Sequence, residues 1–261
     1  MIEVDKAIVF AEREGYRALE LDIYREAAAT GVLPVVAFIH GGGWRVGHRR
    51  PPRETREWQR GCFDRICDAG FAVVALSYRF SGEAAFPAQI DDVVEGLRWS
   101  RDHADEQGLA SDRVYLWGAS GGGTLAALAA LVSDAPPVAG ALIWYAVSDF
   151  SALDLDAGDT FEAHLFGGPI GERLELARAA SPVSHVRADA PPFLVQHGES
   201  DTWVPFDQGE RLVKALRDVG APAELDSIPG ADHFFGGAPD VEAIFERGLA
   251  FLQRVDAGSG L

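Results

Sequence analysis

Ser120 lies at the centre of Gly118-Ala119-Ser120-Gly121-Gly122, between the apolar run 113–117 and the small-residue run 123–128. A serine hydroxyl is a poor nucleophile until its surroundings activate it. A tight strand-to-helix turn would lift the hydroxyl clear of the sheet, and the flanking glycines would let strand and helix approach closely. A glycine-rich turn that only caps a helix is the alternative interpretation, because the pattern is short. The pattern alone favours nucleophilic catalysis only modestly.

A second glycine-rich pattern, His40-Gly41-Gly42-Gly43-Trp44, follows the apolar run 35–39. Consecutive glycines leave backbone N–H groups uncovered, so these groups can point at an oxygen that becomes negative during acyl transfer. One such donor lowers the barrier by roughly 3–4 kcal/mol, about 10²–10³ in rate. A glycine run after a strand that precedes the serine pattern is typical of an oxyanion loop.

Two acid–base residues follow later apolar runs. Asp201 comes just after the run 192–196, and His233 lies in a loop between an expected strand and the last expected helix. The chain order is serine, aspartate, histidine, as in α/β-hydrolases. The histidine would accept the serine proton, and the aspartate would orient the imidazole. Glu199 is the alternative acid, two residues before Asp201.

These motifs agree in residue type, order and setting, and with them the chain resembles the α/β-hydrolase esterases of the hormone-sensitive-lipase type. The resemblance is strongest to the short-chain carboxylesterase and kynurenine-formamidase-like branch. The resemblance extends to three further stretches of the chain. They are Ser77-Tyr78-Arg79, the segment from Phe86-Pro87 to Asp91, and residues 181–185 with the following residues 190–193. In all, the similarity covers about residues 16–255.

The resemblance implies a serine carboxylic-ester hydrolase that acts on short-chain acyl esters through an acyl-enzyme. It assigns Ser120 as the nucleophile, His233 as the general base and Asp201 as the residue that orients the base. It implies no cofactor and no metal ion. The oxyanion-hole donors that it implies are the backbone N–H groups of Gly42, Gly43 and Gly121.

Two other functions stay open. An amidohydrolase acting on an N-formyl group, such as that of N-formylkynurenine, would use the same residues, and the glycine loop followed by Trp44 also resembles formamidases. A non-catalytic ligand-binding protein is the third interpretation, since a fold does not determine function. Proteins of that kind typically lack a triad member, whereas all three residues are present here. The expected partner is a small-molecule ester or other acyl compound.

The chain has 261 residues and a formal net charge of −17. This acidity argues against nucleic acid, which requires a basic surface, and it disfavours anionic substrates at long range. No apolar run approaches the ~18–20 residues of a membrane span. The N-terminus lacks the pattern of a secretory signal, so a cytoplasmic location is expected. The sequence does not indicate an oligomeric state.

Apolar runs alternate with helical patterns along the chain. This alternation predicts the α/β class, with an α/β-hydrolase fold of about eight mostly parallel strands, helices on both faces and one domain over 1–261. The first two strands flank Gly15 and are expected to form an antiparallel edge hairpin. The expected strands are near 7–12, 16–24, 34–40, 71–78, 113–118, 138–146, 192–198 and 223–229, and the expected helices are 54–69, 87–103, 121–133, 205–218 and 240–255.

Residues 148–180 form the one long interruption, between the sixth and seventh strands. Loops of this length are often functional, and this one carries enough apolar residues to predict a small cap or lid over a cleft. Four aromatic residues near the motifs are candidates to line the substrate pocket, although each could equally belong to the core. They are Trp44, Tyr145, Trp203 and Phe234.

Several other residues receive structural roles. His40 and His197 are expected to hold loop conformations, not to transfer protons. Arg79 is expected to pair with Asp91 beneath the site. Cys62 and Cys67 fall five apart in an expected helix, roughly 8 Å between Cα atoms, which exceeds disulfide reach and predicts buried thiols.

Overall fold

The computed structural model describes residues 1–52, 55 and 61–258. Within these residues the chain alternates between strands and helices, as the sequence predicts. The strands are β1 (Ile2–Ala11), β2 (Leu19–Glu26), β3 (Leu33–Ile39), β4 (Ala72–Leu76), β5 (Leu109–Ala119), β6 (Gly140–Trp144), β7 (Phe193–Gly198) and β8 (Ala223–Ile228). The helices are α1 (Cys62–Asp68), α2 (Ala88–Asp102), α3 (Ala104–Gln107), α4 (Gly121–Leu131), α5 (Phe161–Phe166), α6 (Leu174–Ala180), α7 (Asp207–Asp218) and α8 (Val241–Asp256).

The strands of the described ranges form one sheet in the order β1-β2-β4-β3-β5-β6-β7-β8. The β1–β2 and β2–β4 pairs are antiparallel, and β3 pairs in parallel with both β4 and β5. The pairing stays parallel from β5 to β8. The prediction of about eight mostly parallel strands with an antiparallel edge hairpin is therefore confirmed. Because the parallel strands share a direction, the loops at their carboxyl ends meet at one edge of the sheet.

The sheet is buried on both faces, which explains its uniformly apolar central strands. Along β3, Val35 and Ile39 belong to one apolar cluster, whereas Val36 and Phe38 belong to a second cluster on the opposite face. The first cluster includes residues of α2, α4 and α7, and the second includes residues of α1 and α8. This two-sided packing holds the central strands rigidly, so the loops that leave them are well positioned.

The long helices follow from amphipathic patterns and caps. In α7 the buried residues Leu212, Val213 and Leu216 form one stripe that packs against the sheet. At the start of α8 the carboxylate of Asp240 accepts the N–H of Ala243 at 3.0 Å, which satisfies one of the unpaired donors of a helix N-terminus. None of the helices in the described ranges is both long and apolar enough to cross a bilayer.

The segment 148–180 contains two short helices, α5 and α6, where the sequence indicates only a long loop. Helices this short show too little periodicity to be recognised in a sequence. Thr160 nevertheless provides a cap, since its hydroxyl accepts the N–H of Ala163 at 3.1 Å. Phe150 and Phe166 are buried in the core. The segment is therefore anchored to the domain, and its movement as a lid stays a prediction.

Two details differ from the sequence-based expectations. Arg79 does not pair with Asp91, which is exposed; its guanidinium instead makes a bidentate pair with the fully buried Asp92, with distances of 2.8 Å. One step along α2 rotates a side chain by about 100°, so only Asp92 faces the sheet. Of the expected helix 54–69, residues 62–68 form α1, whereas 54 and 56–60 lie outside the described residues.

Candidate active site

Ser120 occupies the sharp turn between β5 and α4. Its backbone is at φ 54° and ψ −127°, a conformation that costs energy for a residue with a side chain. The Ser120 N–H donates to the carbonyl of Trp144 at 2.9 Å, which holds the turn against β6. A Cβ on Gly122 would lie 2.2 Å from the carbonyl oxygen of Ile39, so only glycine lets α4 start this close to β3. The surroundings therefore enforce a strained turn that presents the Ser120 hydroxyl.

Three side chains from separate strand ends meet at this turn. The Nε2 atom of His233 lies 2.9 Å from the Oγ atom of Ser120, and the Nδ1 atom of His233 lies 2.7 Å from Oδ2 of Asp201. Since the carboxylate only accepts, Nδ1 carries the proton and Nε2 accepts the serine hydroxyl. Asp201 in turn accepts the N–H groups of Trp203 and Val204 at Oδ1, at 2.8 and 2.9 Å. The arrangement can move the serine proton to an imidazole that is already oriented.

Asp201 is buried yet remains an anion. Burial by itself would raise the pKa of its carboxyl, but hydrogen bonds from His197 and His233 and from the N–H of Val204 hold that pKa below its usual range. Asp201 is 8% exposed as a whole and its side chain is fully buried. The charge of the carboxylate is therefore compensated by these donors and not by bulk water. An ionised Asp201 is what a transient imidazolium at His233 requires.

The three predicted oxyanion donors lie beside the serine. Gly42, Gly43 and Gly121 all line the same pocket as Ser120. In the part of the chain that the structure describes, their backbone N–H groups have no hydrogen-bond acceptor. Gly121 is the first residue of α4, where the helix dipole also favours negative charge. The pocket thus offers uncommitted donors next to the Ser120 hydroxyl.

The oxyanion loop is held to the serine turn by Trp44. The indole Nε1 donates to the carbonyl of Gly121 at 2.9 Å, and Trp44 is only 2% exposed. Gly42 has φ +118°, and a Cβ there would lie 2.0 Å from the carbonyl oxygen of Val46. The Val46 N–H donates back to the carbonyl of Gly42 at 3.2 Å, which closes the loop on itself. Trp44 therefore lines the pocket and also connects its two donor-bearing segments.

His40 holds the start of the same loop from behind. Its Nδ1 atom lies 2.8 Å from the carbonyl oxygen of Gly41, and its ring stacks on Tyr78 with 4.5 Å between centroids. Burial lowers the pKa of His40 to about 4, so the ring is neutral at physiological pH. The Tyr78 hydroxyl donates to the His40 carbonyl at 2.9 Å. These contacts assign His40 to the conformation of the loop.

A cavity of about 590 Å³ opens above the serine, and all four predicted aromatic residues line it. Trp44 and Tyr145 are buried at its base, and the Tyr145 ring lies 4.7 Å from the ring of His233. Trp203 is 62% exposed at the mouth and stacks on His233, with 5.5 Å between centroids and 9° between planes. Phe234 packs against Trp203 at 5.5 Å. The mouth of the cavity is therefore aromatic.

Residues 148–180 reach the cavity at one place. Within this segment, all of which the structure describes, Phe161 and Glu162 line the pocket. Phe161 packs on the oxyanion loop, since a Cβ at Gly43 would lie 2.4 Å from its ring, and it also stacks loosely on Trp203 at 6.5 Å. The segment thus contributes one wall of the mouth.

Three residues around the site were not predicted to belong to it. His48 and Arg50 line the pocket, and His197 touches Asp201 from behind. The spacing in the sequence did not indicate this contact, because His197 lies in β7 and Asp201 lies three residues beyond its end, so only the turn between them brings the two together. Glu199, the alternative acid, is exposed. Among the described residues, no group of three or more His, Cys, Asp or Glu side chains could hold a metal ion.

The fold and the site together define this protein as an α/β-hydrolase, and the predicted resemblance to α/β-hydrolase esterases is confirmed. The BD-FAE family model matches residues 21–216, and the chain belongs to that family. The probable carboxylic ester hydrolase LipM of Mycobacterium tuberculosis is 33% identical over 243 residues, which is 84% of this chain and 54% of LipM. The chain spans about half the length of such curated relatives.

Solved structures share the whole architecture. A truncated carbohydrate esterase from gut microbiota superposes with a TM-score of 0.84, at 23% identity, over 98% of this chain and 96% of the other. A thermophilic esterase from the Planctomycetes species Thermogutta terrifontis gives a TM-score of 0.76 at 25% identity, over 99% of this chain and 93% of the other. The first similarity concerns the fold alone.

Proposed function

We propose that this protein hydrolyses carboxylic esters of small molecules through an acyl-enzyme on Ser120. The observation that carries the proposal is the connected geometry of Ser120, His233 and Asp201, at 2.9 and 2.7 Å, facing a cavity with uncommitted N–H donors. Ester hydrolysis is favoured over formamide hydrolysis because the relatives and the T. terrifontis neighbour are named esterases.

The reaction divides into two acyl transfers. Ser120 Oγ attacks the ester carbon while its proton passes to Nε2 of His233, and the carbonyl oxygen becomes an oxyanion held by the N–H groups of Gly42, Gly43 and Gly121. The carbon–oxygen bond to the alcohol then breaks, and His233 returns the proton to the leaving alcohol. Water repeats the sequence on the acyl-enzyme and releases the carboxylic acid. Asp201 stabilises the imidazolium without taking its proton.

The cavity supports a short acyl group and a ring-containing alcohol. Its aromatic rim, formed by the exposed Phe161 and Trp203 and the half-buried Phe234, offers flat faces on which an aryl or sugar ring can stack. The buried side chains of Trp44 and Tyr145 line the same cavity, and we expect them to limit the depth available to the acyl chain.

Replacement of the nucleophile tests the proposal. Ser120→Ala should lower kcat for p-nitrophenyl acetate by about 10³-fold or more, because the remaining donors bind substrate but supply no nucleophile. Labelling by a fluorophosphonate, read by mass spectrometry, should modify Ser120 in the wild type and nothing in the variant. Ser200→Ala, an exposed neighbour of Asp201, is the matched control and should keep wild-type turnover. Wild-type turnover in Ser120→Ala would refute the assignment.

Substrate class is resolved by a panel of p-nitrophenyl esters of increasing acyl length, with N-formylkynurenine as a further substrate. We expect kcat/KM to be greatest for the short acyl chains and to exceed the value for the formamide. A maximum at decanoate would refute the short-chain preference. A higher kcat/KM for N-formylkynurenine than for any ester would assign the site to formamide hydrolysis.

A further inference from the structure

A second histidine lies behind the triad. His197, near the end of β7, has a fully buried side chain, and its Nε2 atom lies 3.3 Å from Oδ2 of Asp201 and 3.0 Å from the carbonyl oxygen of Val204. Oδ2 is the same oxygen that accepts the Nδ1 proton of His233. The proposed reaction gives His197 no role, yet its ring is in contact with the acid of the triad.

The surroundings of His197 determine where its proton lies. Both atoms near Nε2 are acceptors, so Nε2 carries the hydrogen. Nδ1 has no hydrogen-bond partner among the described residues, and it faces Gly209 of α7, where a Cβ would lie only 3.0 Å away. A second proton on Nδ1 would be buried without an acceptor, which is unfavourable. The ring is therefore a neutral donor aimed from Nε2 at Asp201 and Val204.

We propose that His197 is a positioning residue of the triad: its Nε2–H orients the Asp201 carboxylate and reduces the negative charge that this carboxylate presents to His233. The role rests on the proposed function, since it acts on the residues assigned there. A donor on Oδ2 restricts rotation of the carboxylate and disperses its charge. Without it, Asp201 would stabilise the imidazolium form of His233 more strongly and hold its orientation less well.

Few other charged or titratable groups face these residues. Asp201 meets His197, His233 and two backbone N–H groups. His233 also contacts Tyr145 through its ring, and Glu162, His48 and Arg50 line the same cavity. The aromatic ring of Phe206 packs against His197 at 5.7 Å and brings no charge. Among the described residues, the Nε2–H of His197, which is hydrogen-bonded to the Val204 carbonyl and lies 3.3 Å from Oδ2, is thus the side-chain donor that Asp201 meets besides His233.

Three variants separate the donor from the volume of the ring. His197→Gln places an amide N–H where Nε2 lies, His197→Asn keeps an amide that is one methylene too short, and His197→Leu fills the volume without a donor. The readout is the rate of fluorophosphonate labelling of Ser120 between about pH 5 and pH 9, which reports the activated nucleophile without an ester substrate. Thermal unfolding of each variant confirms that it is folded.

The Gln variant should label within about threefold of the wild type, whereas Asn and Leu should label about 10-fold more slowly at neutral pH, as expected for a lost hydrogen bond to a charged group. In the Asn and Leu variants the decrease of the labelling rate toward low pH should also begin at a higher pH, because more of the negative charge of Asp201 then stabilises the imidazolium form of His233. A role confined to packing would leave the pH of this decrease unchanged. If the Leu variant does not fold, the Asn–Gln comparison decides the outcome.

The positioning role of His197 is overturned if His197→Asn and His197→Leu keep the wild-type labelling rate and pH profile. It is also overturned if the labelling rate of His197→Gln falls as far as that of His197→Asn. A wild-type protein that is labelled at Ser120 but hydrolyses no ester would refute the proposed function alone, and the labelling comparison would still decide the role of His197. A wild-type protein that is not labelled at all would refute both.

Discussion

At the scale of single residues, backbone strain is concentrated around the serine. Ser120, Trp44, Tyr145 and Phe235 all have positive φ angles between 37° and 58°, although each carries a bulky or polar side chain. Such conformations persist only where the surroundings over-determine them, and they gather at functional sites. Here each residue lies within or beside a strand-end loop that forms the pocket or its base. The strain fixes the direction of the side chains that the reaction needs.

The neutral, buried His40 leads to a prediction about stability. Its folded-state pKa of about 4 lies below the ordinary 6.5, so protons bind preferentially to the unfolded state between these values. The contribution of His40 to stability is therefore full above about pH 6.5 and is lost as pH falls toward 4, by up to about 3 kcal/mol. Urea denaturation of the wild type should show part of its acid destabilisation in this window.

His40→Asn should reduce that pH dependence. The shorter amide can still donate to the Gly41 carbonyl from the position of Nδ1, but it does not titrate. His164→Asn, which replaces an exposed histidine of α5, is the control and should show the wild-type slope. Equal slopes for His40→Asn and the wild type between pH 6.5 and 4 would contradict the assignment of a buried, neutral ring.

At the scale of elements, the parallel strands bring the site together. Gly42 and Gly43, proposed here for the oxyanion hole, follow β3, Ser120 follows β5, Asp201 follows β7 and His233 follows β8. In the sheet β3 and β5 are neighbours, and β7 and β8 are neighbours, with β6 between the pairs. Residues more than 110 positions apart in the chain therefore meet at 2.9 Å. The antiparallel hairpin lies at the far edge of the sheet and places no triad residue.

The contact of α4 with β3 gives a second prediction. A Cβ on Gly122 would lie 2.2 and 2.3 Å from the carbonyl oxygens of Ile39 and His40, which are backbone atoms that cannot rotate away. Gly122→Ala should therefore separate the serine turn from the oxyanion loop. We expect a loss of about 3 kcal/mol of unfolding free energy, at the upper end of overpacking effects, and a large fall in esterase kcat.

The control for this variant is Gly158→Ala, at an exposed glycine with no atom within 4 Å of the added Cβ and no positive φ. It should leave stability within about 0.5 kcal/mol of the wild type. Denaturant unfolding and turnover of p-nitrophenyl acetate measure both variants. Wild-type stability and kcat in Gly122→Ala would mean that α4 and β3 can part without disturbing the site.

At the scale of the whole molecule, the net charge of −17 means that acidic groups repel one another over most of the surface. Many arginines are paired with carboxylates, but the acidic excess remains. Raising NaCl from about 20 mM to about 200 mM shortens the screening length to below about 10 Å. The midpoint of thermal unfolding should therefore rise by about 2–4 °C, equivalent to about 1 kcal/mol for a chain of this size. A fall in the midpoint with salt would show that the surface ion pairs outweigh the repulsion.

Much of the architecture was predictable because its signals are local. The apolar runs of β3 to β7 and the amphipathic stripe of α7 are properties of consecutive residues. The glycines around Ser120 indicate a tight turn for the same reason. By contrast, α5 and α6 were not recognised, since helices of six and seven residues show less than two full turns of periodicity. The choice between Asp91 and Asp92 as the partner of Arg79 depended on the rotation of α2 against the sheet.

For the candidate site, the sequence by itself determined which residues are proposed to carry the chemistry and in what order, because Ser120, Asp201 and His233 each lie in a loop with a recognisable local pattern. Only the tertiary structure decided how they meet: the hydrogen bonds, the uncommitted N–H groups and the aromatic mouth all join residues from different strands. The tertiary structure also decided the contact of His197 with Asp201, since His197 lies in β7, Asp201 lies three residues beyond its end, and the two meet because the chain turns back there. Hydrogen bonding needs distances of about 3 Å, and such proximity is a property of the packed chain, not of spacing along it.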